Sequence, residues 1–72
     1  MGMEVNINEV IERLYEPAKE FVIENQIARV SSLQRKFRIG YMTAAKIMDR
    51  LEENEIVGPY AGSQPRKVLV QK

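Results

Sequence analysis

Residues 31–51, SSLQRKFRIGYMTAAKIMDRL, set two short apolar stripes on either side of an Ile-Gly pair. Leu33 and Phe37 stand at i and i+4. Ala44, Ile47, Met48 and Leu51 stand at i, i+3, i+4 and i+7. Each set lines one face of a helix. Ser31 and Gln34 make the S-x-x-Q of a capping box, in which each side chain satisfies an orphan backbone donor. The pattern predicts helix two over 32–38, a turn at Ile39-Gly40 with Gly40 as hinge, and helix three over about 41–54. Met42, Thr43, Lys46, Asp49, Arg50 and Glu53 fall on the outer side of helix three. A helix, a short turn and a second helix form a helix-turn-helix, the arrangement that offers its second helix to a DNA major groove. Helical hairpins in ordinary cores carry the same pattern, so the flanks must decide.

Upstream, Val10, Ile11, Leu14, Ala18, Phe21 and Val22 repeat at helical spacing from an Asn8 N-cap, with Glu9 and Glu12 in the first turns. Pro17 removes a hydrogen bond and clashes one turn back. It predicts either a kinked helix or two pieces, 8–14 and 16–25. IARV at 27–30 reads as a one-residue bridge to a sheet or as a loop. Downstream, IVGPY (56–60) and RKVLV (66–70) are β-prone runs separated by the turn cluster AGSQP. That order predicts a C-terminal β-hairpin. The expected fold is α+β, mostly α: a winged helix-turn-helix of three helices plus a hairpin wing. One domain fills residues 1–72, with 1–7 a disordered or expression-derived leader.

The totals exclude most alternatives. A chain of 72 residues buries only about 60% of its unfolded surface, so it has a single core and no second domain. With neither Cys nor His, disulfides, thiolate or imidazole zinc sites and Ser–His or Cys–His catalysis are excluded. There is no P-loop and no G-x-G-x-x-G. Neither an enzyme nor a cofactor is expected. No apolar run approaches the roughly 18 residues of a membrane span. MGMEVNINEV lacks the regions of a signal peptide, and Asn6 stands where a myristoylation signal needs Ser or Thr. Glu52, Glu53 and Glu55 read as a solvated helix end, Met48 as core, and Tyr15, Tyr41 and Tyr60 as half-buried core or rim residues.

Net charge is +1, but it is segregated. Residues 1–25 hold two basic and six acidic side chains. Residues 26–50 hold six basic and one acidic. Residues 51–56 add three acids, and 57–72 three bases. Two positive segments that a fold brings together make a polyanion footprint.

The stretch LQRKFRIGYMTAAKIMDRLEENEIVGPYAGSQPRKVLV resembles the γ domain of the FtsK/SpoIIIE family of DNA translocases. The carrying residues are Gln34-Arg35, Phe37-Arg38-Ile39-Gly40-Tyr41, Ala44-Ala45, Ile56-Val57-Gly58-Pro59-Tyr60, Gly62-Ser63, Pro65-Arg66 and Val68-Leu69-Val70. LYEPAKEFVIENQIARVSSLQ is similar to the family's first helix, so the likeness runs over roughly 14–70. The resemblance implies a winged helix at the C-terminus of a hexameric ATPase motor, reading short G-rich octamers that orient translocation along the chromosome. It also implies several copies on one DNA site, a contact with a Xer-type recombinase in some members, and a bacterial cytoplasmic location, even where a longer parent chain is membrane-anchored. The motor is absent from these 72 residues. A fragment of a long translocase and a free-standing small protein are both compatible with the sequence.

Family members commonly carry Asn-Arg or Ala-Arg after the Gly-Tyr and Arg after the Ala-Ala. Here those positions are Met42, Thr43 and Lys46. Arginine reads guanine bidentately, whereas lysine is a point charge and threonine meets a thymine methyl or a phosphate. The expected interface with double-stranded DNA puts Met42, Thr43 and Lys46 at base edges. Arg35, Arg38 and the Ser31/Ser32 helix start lie on phosphates, Arg66 and Lys67 on the flanking backbone, and Tyr41 beside them. The domain alone is expected to be a monomer without membrane contact. The competing expectation is a protein-interaction winged helix, whose acidic first helix or wing docks a recombinase or the motor of its own protein.

Overall fold

The computed structural model describes residues 6–72. Three helices follow in order: α1 (Ile7–Asn25), α2 (Val30–Phe37) and α3 (Tyr41–Glu53). Both α1 and α2 pack on α3. The molecule is therefore mostly helical, and α3 is its centre. Most of the leader expected at 1–7 lies outside the described residues, but Asn6 and Ile7 belong to the start of α1. The N-cap is Asn6, not Asn8: its Oδ1 accepts from the Asn8 N–H at 2.9 Å. Pro17 interrupts nothing, for α1 is one element. Pro17 and Arg13, whose carbonyl the missing N–H would have served, are both exposed.

α1 ends at Gln26 in the left-handed region (φ 53°). The Gln26 Nε2 donates to the Ile23 carbonyl at 2.8 Å and to the Val70 carbonyl at 3.0 Å, so one side chain closes the helix and holds the C-terminal segment. Ala28 is buried and bridged to Arg66. This is the one-residue bridge that IARV allowed, made to a segment that is itself held only by isolated bridges rather than to a sheet. It decides the start of α2. Arg29 is extended (φ −122°, ψ 138°), and its carbonyl accepts from the Ser32 and Leu33 amides. The helix then begins at Val30, with Ser31 already inside it. No side chain caps α2, so the expected Ser31–Gln34 capping box does not form. A cap contributes about 1 kcal/mol, and the pairing of Ala28 overrides it.

The turn differs too. Arg38, not Gly40, takes the left-handed conformation (φ 54°), and the Arg38 and Ile39 amides both donate to the Gln34 carbonyl. Gly40 is the ordinary extended N-cap of α3 (φ −73°, ψ 170°). The buried stripe of α3 is Ala44, Ile47, Met48 and Leu51, as the spacing predicts. It meets Ile11, Ala18 and Val22 of α1, Leu33 of α2, and Ala28, Ile56 and Val57 in one cluster. Phe21 and Phe37 stack edge to face at 6.1 Å between centroids. Tyr15 is half-buried and accepts from Asn54 Nδ2 at 2.8 Å, but Tyr41 and Tyr60 are exposed.

Past α3, Glu55 is left-handed (φ 62°) and exposed. A side chain there costs about 1 kcal/mol that glycine avoids. Glu55→Gly is therefore expected to raise stability by about 0.5–1 kcal/mol, read as a higher denaturant midpoint at unchanged slope.

The expected hairpin is not formed as two strands. Residue 57 pairs with 68 in a single antiparallel bridge, flanked by Gly58 N–H to Lys67 carbonyl and Leu69 N–H to Ile56 carbonyl, each 2.8 Å. In that register Tyr60 faces Pro65, which has no N–H to donate. The Arg66 amide goes instead to the Ala28 carbonyl at 3.2 Å. Segment 66–69 thus lies between Ala28 on one side and Ile56–Gly58 on the other, held by isolated bridges.

Candidate nucleic-acid interface

Four of the six positive charges of 26–50 are uncommitted. Among the described residues, the only ion pairs are Arg50–Glu12 (3.0 Å), Arg66–Glu52 (3.0 Å), Arg66–Asp49 (3.7 Å) and Lys72–Glu24 (3.6 Å). Arg29, Arg35, Arg38 and Lys46 are exposed and belong to none of them. Arg35 lies in the last turn of α2, and Arg38 follows it at the turn into α3. Lys36 is turned elsewhere: its Nζ sits 5.7 Å from the centre of the Phe21 ring on α1.

Helix α3 divides into two halves. Its first turns present Tyr41 and Met42, 67% and 64% exposed, with Thr43 half-buried and Lys46 exposed one turn on. Met42 and Lys46, at i and i+4, share a face. Of the charges in the second half, all but the exposed Glu53 are bound internally. Arg50 reaches across to Glu12 of α1, and Asp49 and Glu52 hold Arg66. The acids of α3 are thus partly neutralised, and the exposed cations left unpaired among the described residues include Lys46 in its N-terminal half and Arg35 and Arg38 at the end of α2.

Arg66 is therefore placed differently from the backbone contact expected of it. Its side chain is only 12% exposed, its guanidinium bonds Glu52, and its amide bonds Ala28. It ties the C-terminal segment to α3. The pairs are partly screened, because Glu52 and Asp49 are 43% and 67% exposed. With the loss of stem packing, Arg66→Ala is expected to cost about 1–2 kcal/mol. Hydrogen exchange at the Gly58 and Leu69 amides should accelerate with it. Lys67 is exposed and in no ion pair among the described residues.

The structure does not gather every expected residue into one cleft. Ser32 and Arg35 border a shallow depression with Phe21 and Lys36. Tyr41 and Arg66 border a larger groove of about 370 Å³ between α2, α3 and the 60–65 loop, shared with Arg29, Ser31, Tyr60 and Gln64. Lys46 borders a third, with Asp49, Arg50 and Glu53. Sequence reasoning missed Arg29. As N-cap of α2 and lining of the larger groove, it adds a cation beside Tyr60 and the loop. The signal was a basic residue immediately before the true helix start, hidden because that start was placed two residues late. Among the described residues no group of acids fit to hold a metal is present and no helix is long and apolar enough to cross a membrane.

Comparison with known proteins shows the family of the chain. Residues 9–71 match the family model of the FtsK gamma domain. The chain is 52% identical over 65 residues to the DNA translocase SpoIIIE of Bacillus subtilis, covering 90% of this chain and 8% of that protein. It is 53% identical over 62 residues to the DNA translocase FtsK of Bacillus cereus, covering 86% and 8%. With the DNA translocase FtsK of Halalkalibacterium halodurans it shares 56% over 62 residues, again 86% and 8%. The chain thus spans less than a tenth of the length of these relatives, and no ATPase motor lies within it. By the match across most of its length, the chain belongs to the FtsK gamma-domain family of DNA translocases.

Proposed function

We propose that this domain binds double-stranded DNA as a winged helix, with α3 in the major groove, and orients a translocase of the FtsK/SpoIIIE type on the chromosome. The observation that carries the reading is the uncommitted cationic surface at the α2–α3 turn, where Arg35, Arg38 and Lys46 are exposed and unpaired among the described residues while Asp49, Arg50 and Glu52 of α3 are held in internal ion pairs. In a helix-turn-helix the N-terminal residues of the second helix meet base edges. That assigns Met42, Thr43 and Lys46 to bases, with Tyr41 at the rim. Arg29, Ser32, Arg35, Arg38 and Lys67 lie on phosphates. Segment 66–69 with its bridges acts as a reduced wing, and Arg66 anchors it. Residues 1–72 work as one domain in the cytoplasm, a monomer that several copies of a translocase bring to one site.

The test is titration of short duplexes at several salt concentrations. Four phosphate contacts give a slope of log affinity against log salt of about −3.6. Absence of binding to any duplex at low salt overturns the reading.

A second reading, docking of a protein partner such as a Xer-type recombinase or the translocase's own motor, is favoured by one feature. The half-buried Phe21–Phe37 pair sits in a shallow groove rimmed by Pro17, Glu20 and Glu24. The two readings are compatible, because this groove lies between α1 and α2 rather than on the exposed face of α3.

A further inference from the structure

We infer that Arg66 is a positioning residue for DNA binding, which acts by neutralising two acids of α3 rather than by touching phosphate; the inference rests on the DNA-binding reading above. Helix α3 carries Lys46 and Arg50 against Asp49, Glu52 and Glu53, two positive charges less three, or −1. Arg50 is already bound to Glu12 of α1 at 3.0 Å. A helix of net negative charge is repelled by the phosphates that line a groove. Asp49 is the acid nearest the reading face. It follows Met42 at i+7 and Lys46 at i+3, so it continues their row along the helix. It also borders both the depression of Lys46 and the groove of Tyr41.

Arg66 answers these charges from another part of the chain. Its Nη1 donates to Glu52 Oε1 at 3.0 Å, and its Nη2 stands 3.7 Å from Asp49 Oδ1. One planar fork thus serves two carboxylates a turn apart. With it the charge on α3 becomes −1 + 1 = 0. The Arg66 amide is fixed to the Ala28 carbonyl at 3.2 Å, and its side chain is only 12% exposed. The fork is therefore held where the acids are. Lys67, the next residue, is exposed and in no ion pair among the described residues, so the segment still offers a cation to the DNA backbone.

Duplex affinity at low salt is the readout. Arg66→Met keeps an apolar stem and removes the charge. It is expected to weaken binding about fivefold, the repulsion of two acids about 8 Å from phosphate across water. Adding Asp49→Asn and Glu52→Gln to Arg66→Met restores affinity to within about twofold of the unaltered protein, whereas the same two changes beside an intact Arg66 shift it by less than about twofold. Arg66→Lys keeps the charge and stays within about twofold. Exchange of the Gly58 and Leu69 amides reports the pinning of the segment separately, and it stays fast in the triple variant while affinity returns. No recovery in the triple variant, recovery only with slowed exchange, or an Arg66→Lys as weak as Arg66→Met overturns the inference and leaves the DNA-binding reading standing. Failure of the unaltered protein to bind any duplex overturns both.

Discussion

Leu33→Ala is expected to lower the unfolding free energy by about 2–5 kcal/mol. Leu33 is the one fully buried residue of α2, at 0% exposure. Val30 and Phe37, the other apolar residues of that helix, are only half-buried. Truncation leaves a cavity that eight residues of helix cannot collapse around without leaving α3. A domain of this length holds roughly 4–11 kcal/mol in all. The substitution therefore removes a large share of the stability, read as a denaturant midpoint lowered by a third or more. Arg35 and Arg38 depend on α2 for their position, so duplex affinity falls with it. A loss below about 1 kcal/mol would mean that Leu33 does not pin α2.

The second large effect is electrostatic and leaves the fold alone. Arg35→Ala combined with Arg38→Ala removes two exposed cations that hold no ion pair among the described residues. Stability should stay within about 0.5 kcal/mol, since alanine and arginine tolerate the left-handed φ of residue 38 equally poorly. Duplex affinity at low salt should fall at least about tenfold, and the salt slope should become shallower by about 2, close to one for each lost phosphate contact. Removing Arg13 and Lys19 of α1 instead should leave the slope unchanged. The pair of experiments separates a positioned footprint from mere net charge.

The parts of this fold legible in the sequence are those set by local periodicity. Ala44, Ile47, Met48 and Leu51 could only line one face of a helix, and all four are buried. The parts that were not legible are set by residues far apart in the chain. Ser31 looked like a cap, but the bridge between Ala28 and Arg66 extends the backbone through Arg29 and starts α2 earlier. Gly40 looked like the hinge, yet the left-handed position is Arg38, because the Schellman-like closure onto Gln34 falls where α2 ends. The β-prone runs at 56–60 and 66–70 pair at one step only, limited by Pro65 opposite Tyr60.

The site divides along the same line. The surplus of cations in 26–50 was plain from composition, and most of it is exposed and uncommitted. Arg66 carried the same letter and the same charge, but two acids on α3 capture it. Nothing local distinguishes a guanidinium aimed at solvent from one folded back onto Glu52. Arg29 was overlooked for the converse reason, since its place beside the groove depends on the same bridge.

The most direct test of the account is a titration of the isotopically labelled domain with a short duplex, followed through backbone amide shifts. The largest changes are expected on residues 29–46 and on Lys67, with the amides of Glu9 to Glu24 in α1 nearly still. Changes concentrated on α1, or none at all at low salt, would contradict it.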